Sequence, residues 1–246
     1  MLPSRKTLVI TGGARGIGAA VAGLAAERGY DVAVGFREQS DRAEAVAAHA
    51  RAKGARALTV RVDVRDPAQV ELLFDQVERE LGPVTSLVCS AGVTGRASTL
   101  ADTSPAIIRE VLEINVLGSL LCCREAVRRM RGGAIVLLSS GAATLGSPGE
   151  FVWYAASKGA IDSLTIGLAK EVAGSNLRVN AVAPGLTDTE LHALSTGEPA
   201  RVARMAPQIP FGRAATPDEV AESVLWLLSE AASYVSGTVL RVAGGR

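Results

Sequence analysis

The sequence predicts an α/β protein with a doubly wound, seven-stranded parallel sheet covered by helices on both faces. Three observations predict it. Seven short runs rich in β-branched and aliphatic residues punctuate the chain, and most are separated by Ala-, Glu- and Arg-rich stretches of helical period. Strands separated by whole helices need crossover connections, which favour parallel pairing and right-handed topology. The first run also leads through a glycine-rich turn directly into the first helical stretch.

In chain order the expected strands are 6–11, 31–36, 56–62, 86–89, 134–138, 177–182 and 238–242. The first carries Leu8-Val9-Ile10 and the fifth the wholly apolar Ala134-Ile135-Val136-Leu137-Leu138, as expected where both faces of a sheet are covered. Helices are expected near 16–28, 39–53, 67–80, 105–130, 154–173 and 217–229. Three of their starts are independently marked by Asp66-Pro67, Ser104-Pro105 and Thr216-Pro217, each a capping side chain before a proline at the first helical position. Glu219 completes a capping-box pattern with Thr216. No repeat, low-complexity tract or linker divides residues 1–246, which are read as one Rossmann-type domain. Within it, residues 186–213 hold Pro199, Pro207 and Pro210, lack a strong period and follow a strand's carboxyl end, which predicts a substrate loop or lid.

Composition excludes several function classes. With 48% hydrophobic residues, the chain can fill a core without disulfides or structural metal. Lys+Arg 26 against Asp+Glu 25 leaves +1, and two Trp, three Tyr and four Phe form no stacking platform, so nucleic acid is not an expected partner. No apolar run approaches the roughly 20 residues that span a bilayer, and the stretch 1–6 lacks the apolar core of a signal peptide, so a cytoplasmic protein without membrane association is expected. Cys89, Cys122 and Cys123 have no metal-ligand spacing and read as buried apolar residues. His49 and His192 are the only histidines, too few for a ready zinc site or Ser-His-Asp triad, and no metal is expected.

Two patterns carry chemistry. Thr11-Gly12-Gly13-Ala14-Arg15-Gly16-Ile17-Gly18 lies between the first strand and a helix, where glycines allow a tight turn and close approach of backbone N–H groups and the helix dipole to a pyrophosphate. Tyr154 and Lys158 stand four residues apart at the start of the helix after the fifth strand, hence on one helical face. An ammonium ~4 Å from the phenol at an effective dielectric near 20 is worth ~4 kcal/mol before desolvation, so Lys158 is expected to lower the Tyr154 pKa toward the range of a general acid/base. The fifth strand ends in Ser139-Ser140, where active groups of open α/β sheets gather, and a serine hydroxyl there can donate to a carbonyl as charge develops.

Across nearly the whole chain these motifs resemble the short-chain dehydrogenase/reductase family, including its 3-oxoacyl-carrier-protein reductase-like and glucose dehydrogenase-like members. Thr11, Gly12, Gly16 and Gly18 match its Thr-Gly-x-x-x-Gly-x-Gly turn. The resemblance implies a nicotinamide cofactor held by Gly12, Arg15, Gly16, Ile17 and Gly18. It also implies Asp63-Val64 at the adenine, Ala91 and Gly92 after the fourth strand, and Pro184, Gly185, Thr187 and Thr189 around the carboxamide. Cys89-Ser90 stands where the family carries two asparagines. The family's catalytic set maps onto Asn115, Ser140, Tyr154 and Lys158. In those roles Asn115 anchors a proton relay, Ser140 polarises the carbonyl, Tyr154 exchanges the proton, and Lys158 tunes Tyr154 while binding the ribose. Ser140 and Tyr154 are one residue further apart than the family's usual spacing, which leaves Ser139 as an alternative.

The end of the second strand decides between cofactors. An acidic residue there favours NAD; here Phe36 is followed by Arg37, and Arg37 with Arg15 can grip a 2′-phosphate. NADP(H) is therefore expected, with NAD(H) the alternative through Glu38. The predicted activity is hydride transfer between NADP(H) and a small carbonyl or secondary-alcohol substrate. The alternatives are an NAD-dependent sugar or alcohol dehydrogenase and a non-catalytic dinucleotide-binding regulator, the last having no use for Ser140, Tyr154 and Lys158 together. The family resemblance implies a homotetramer or homodimer, and the apolar stripe Val220, Val224, Leu225 and Leu228 can pack either between subunits or on the sheet. Arg128, Arg129 and Arg131 can meet an acidic carrier protein or serve their helix end and solvent.

Overall fold

A computed structural model describes residues 5–246; most of the stretch 1–6 read for a signal peptide lies outside the described residues. The strands are β1 (Lys6–Thr11), β2 (Tyr30–Phe36), β3 (Ala57–Arg61), β4 (Val84–Cys89), β5 (Gly133–Leu138), β6 (Leu177–Pro184) and β7 (Val239–Val242). All pair in parallel in the order β3-β2-β1-β4-β5-β6-β7. The chain winds outward from β1 in one direction and from β4 in the other, so their carboxyl ends part and leave a crevice between β1 and β4.

The helices of the β1 half are α1 (Gly16–Glu27), α2 (Ser40–Ala52) and α3 (Pro67–Leu81). Then come α4 (Pro105–Leu112), α5 (Gly118–Arg129), α6 (Ala142–Leu145), α7 (Val152–Glu171), α8 (Glu190–Thr196), α9 (Arg201–Met205) and α10 (Pro217–Leu228). Each proline-marked start has its cap: Asp66 accepts from the Ala68 and Gln69 amides, Ser104 from Ala106, and Thr216 and Glu219 close the predicted capping box.

The single helix expected over 105–130 is interrupted. A π turn at Glu113–Leu117 separates α4 from α5. Asn115, 1% exposed, occupies that turn and binds outward: Oδ1 accepts from the Val93 amide at 2.9 Å, while Nδ2 donates to the Val93 carbonyl and the Ser157 hydroxyl. Apolar residues fall on the same face before and after the turn, so the period conceals it.

Two cores flank the sheet. One packs α3, α5 and α7 residues against it and includes Cys89, Cys122 and Cys123, all buried and free. The other packs α1, α2 and α10, with Val220, Val224, Leu225 and Leu228 all buried beside Val21, Ala22 and Ala25. Of the two placements open for that stripe, the sheet takes it within one protomer. Arg129 is paired with Asp75, Glu78 and Glu125, Arg128 pairs with Glu125, and Arg131 donates to the Arg128 carbonyl.

The segment 186–213 is not structureless. It holds α8, α9 and a short 3-10 turn, and its two ends meet, because Thr187 bridges Ala215 in parallel. The Asp188 amide donates to the Ala215 carbonyl and the Ala215 amide to the Leu186 carbonyl, each at 2.9 Å.

Candidate active site

The glycine turn adopts the conformation its composition requires. Gly12 (φ +68) and Gly16 (φ +53) are left-handed, and a Cβ on Gly12 would stand 2.7 Å from the Ala91 backbone. A Cβ on Gly18 would run into the Gly12 carbonyl oxygen, so Gly18 lets α1 settle on the turn. Arg15 precedes α1 without a side-chain cap, and the first turn of α1 contains no acidic residue. Its leading N–H groups are thus available to an anion.

A cavity of about 740 Å³ opens at the strands' carboxyl ends. It is bordered by Gly12, Arg15, Gly16 and Ile17 on the turn, by Arg37 after β2, and by Asp63 and Val64 after β3. Ala91 and Gly92 follow from β4, Ser140, Tyr154 and Lys158 from β5 and α7, and Pro184, Gly185, Thr187 and Thr189 from β6 onward. Among the predicted site residues, only Gly18 and Asn115 do not border it. Gly18 acts through the close packing described above. Asn115 lies just behind the wall, since a Cβ on Gly92 would fall 3.4 Å from its Oδ1 and 3.6 Å from Lys158 Nζ.

At the inner end, both serines after β5 border the cavity but bond differently. Ser139 is buried and bonds to the Asp162 carboxylate on α7, with the Lys158 carbonyl at 3.3 Å. Ser140 faces the cavity beside Tyr154, and its Oγ accepts from the Ala142 amide at 3.1 Å. Lys158 Nζ donates to the Leu138 carbonyl at 2.7 Å and lies 5.6 Å from the Tyr154 ring centroid.

The electrostatics correct one expectation. Burial pushes the Tyr154 phenol above its ordinary value, opposed by the neighbouring Ser140 hydroxyl, rather than Lys158 pulling it down. The ammonium, anchored to a strand-end carbonyl, faces the ring, and its own burial brings Lys158 down to about 8, an effect that Asp162 opposes. Asp162 is itself raised by burial, against the Ser139 bond.

At the outer end β2 stops at Phe36, as expected, and Arg15 and Arg37 both border the cavity with 35% and 41% of their side chains exposed. Glu38 borders it too and accepts from Arg37 Nε at 2.9 Å. Asp63 is held by Arg65, whose Nε donates to its Oδ1 at 2.9 Å, and this keeps the carboxyl below its ordinary range.

Of the aromatic and apolar side chains near the substrate end, Phe151, Leu191, His192 and Met205 border the cavity. Trp153 instead packs edge-on to Phe151 and donates its indole N–H to the Thr94 carbonyl at 2.8 Å, while Phe211 is 73% exposed. Sequence reasoning missed Glu150, Arg201 and Arg241 on the cavity wall. Arg201 lies between Pro199 and Pro207 in a stretch without period, where nothing separates it from a surface arginine.

Fold and site together define a Rossmann-type α/β protein with a serine, a tyrosine and a lysine gathered beside a dinucleotide-type glycine turn. Residues 12–246 match a family model described as enoyl-(acyl carrier protein) reductase. An uncharacterised oxidoreductase of Escherichia coli, YgfF, is 46% identical over 97% of this chain and 98% of its own. A cis-4-hydroxycyclohexanecarboxylate dehydrogenase of Sinomonas cyclohexanicum is 43% identical over 98% and 96%. A short-chain dehydrogenase of Burkholderia cenocepacia, solved in complex with NADP, superposes with a TM-score of 0.92 at 33% identity, covering 99% of this chain and 98% of that one. The chain belongs to the short-chain dehydrogenase/reductase family of oxidoreductases.

Proposed function

We propose that this chain is an NADP(H)-dependent oxidoreductase that interconverts a small carbonyl compound and its secondary alcohol, with Tyr154 as acid/base. The observation that carries this reading is the convergence of Ser140, Tyr154 and Lys158 on one cavity beside an uncapped glycine turn. The solved relative bound to NADP and the relative named as a hydroxy-acid dehydrogenase support it.

The wall suits a dinucleotide: Gly12 and Gly18 let the turn fold closely against Ala91 and against itself, and the first amides of α1 meet the pyrophosphate. Ile17, Asp63 and Val64 flank the adenosine side, Ala91 and Gly92 the middle, and Pro184, Gly185, Thr187 and Thr189 the nicotinamide side. Arg15 and Arg37 grip the 2′-phosphate. When bound, the cofactor supplies or accepts the hydride.

In the reducing direction the Tyr154 phenol, kept protonated by burial, donates to the substrate oxygen as charge develops there. The Ser140 hydroxyl donates to the same oxygen. Lys158, over the ring, stabilises the phenolate left behind and binds ribose hydroxyls. Asn115 holds the segment after β4 to α7 and anchors the relay that returns a proton to Tyr154. Segment 186–213 closes over the substrate.

A second reading, an NAD-dependent sugar or alcohol dehydrogenase, draws on Glu38, which borders the cavity and ties up Arg37. Absorbance assays of ketones and alcohols with both nicotinamide cofactors test the two together. Faster turnover with NADPH supports the first, a preference for NADH supports the second, and no turnover with any pair overturns both. The reading places the protein in the cytoplasm, with no helix among the described residues long and apolar enough to cross a membrane. It also makes the protein a homotetramer or homodimer, supported by exposed Leu112, Leu117 and Leu120 along α4, the π turn and α5, and checked by sedimentation.

A further inference from the structure

Arg201 opens α9 within segment 186–213 and borders the cavity near Phe151, His192 and Met205, yet only 5% of its surface is exposed. Its guanidinium meets Glu150 end-on: Nη1 donates to Oε1 at 2.7 Å and Nη2 to Oε2 at 2.5 Å. Its Cζ lies 5.9 Å from the Phe151 ring centroid. End-on pairing occupies one edge of the guanidinium fork. The side edge, made by Nε–H and a neighbouring Nη–H, is a second place where a carboxylate fits with two parallel bonds. Nε is buried and meets no hydrogen-bond acceptor, the one side-chain nitrogen or oxygen in that position among the described residues. A latch between Arg201 and Glu150 needs only the end-on edge. It does not account for a second donor, on a residue of the cavity wall, that is buried without a protein acceptor, an arrangement that is unfavourable unless something accepts from it.

The surroundings narrow the ligand. Phe151, Leu191 and Met205 make this part of the wall apolar. His192 brings no second cation, because burial and the Arg201 charge hold it toward the neutral form. We propose that the substrate is a hydroxy or oxo acid whose apolar body lies against Phe151, Leu191 and Met205 and whose carboxylate docks on the side edge of Arg201. This rests on the oxidoreductase reading above, with Arg201 as its specificity-determining residue. Glu150 then has two effects: it holds the guanidinium in place, and its own negative charge weakens the incoming acid.

The test reads binding apart from turnover. Calorimetry on the full chain with NADP present compares cyclohexanecarboxylate, which cannot be reduced at a ketone, with the neutral cyclohexanecarboxamide. The acid is expected to bind at least about 10-fold more tightly, and Arg201→Met to shrink that ratio by about 10- to 100-fold, the range of a charged hydrogen-bonded pair. Glu150→Gln is expected to raise affinity for the acid several-fold, whereas a latch predicts that it weakens acid and amide alike. Equal binding of acid and amide by the wild type, or parallel loss of both in Glu150→Gln, overturns the proposal. Should Arg201→Met fail to fold, the wild-type ratio and Glu150→Gln still decide. Kinetics with 4-oxocyclohexanecarboxylate and its amide separate the two levels. Acid-selective binding without reduction of any ketone sinks the redox reading and leaves the anion site standing, while reduction of neutral ketones without acid preference does the reverse.

Discussion

The two ends of the cavity are built on opposite principles. At the inner end Lys158 is 6% exposed and tied to the end of β5, and Ser139 bonds into α7. At the outer end Arg15 and Arg37 are more than a third exposed, and their partners Glu190 and Glu38 lie on the surface as well. Buried, mutually bonded groups respond to change nearly all-or-none, whereas exposed ion pairs are screened and give graded effects. Under the proposed function, the contrast places the chemistry on core elements and cofactor choice on a rim that can change without disturbing the fold.

Three experiments press on that contrast. The largest effect is expected at the inner end: Tyr154→Phe should lower kcat about 10²- to 10⁴-fold, the usual worth of positioned proton transfer, with NADPH affinity nearly intact in a fluorescence titration. Substantial residual turnover would place the acid/base elsewhere. Next, Arg37→Asp should shift the NADPH-to-NADH ratio of kcat/KM about 10- to 100-fold toward NADH, the range expected for a charged hydrogen bond to phosphate. An effect as drastic as that of Tyr154→Phe would erase the distinction between the ends.

The smallest effect is a titration. Because burial lowers Lys158 to about 8, dinucleotide affinity should decline several-fold as pH rises through that value, and Lys158→Met should flatten the profile. Stability responds with the opposite sign. The folded chain releases this proton before the unfolded chain does, so the penalty of a buried ammonium is complete below about 8 and is relieved as pH rises toward 10.5. Thermal melts across that window, compared with those of Lys158→Met, isolate the Lys158 contribution.

Much of this arrangement was legible in the sequence because it follows local rules. β-Branched runs gave all seven strands, capping residues marked three helix starts, and the four-residue spacing put Tyr154 and Lys158 on one face. Other features depend on tertiary surroundings. The π turn at Asn115 is set by a long-range bond to Val93, and close packing makes Gly118 obligatory, since a Cβ there would collide with Val64. Neither interaction alters the hydrophobic period. Tyr154's acidity was misjudged because spacing supplies the charge but not the burial, and burial dominates. Helices as short as α8 and α9 complete too few turns to show amphipathic repetition, which is also why Arg201 escaped notice.

The bridge between Thr187 and Ala215 gives segment 186–213 a narrow neck. Between those two residues the segment is also pinned from outside, by Arg201 on Glu150, by the Ala97 amide on the Ser195 carbonyl and by the Phe211 amide on the Gly244 carbonyl, while chain-closure entropy grows only slowly with added length. Positions of the segment that make none of these ties can therefore vary in sequence without disturbing the sheet or the glycine turn.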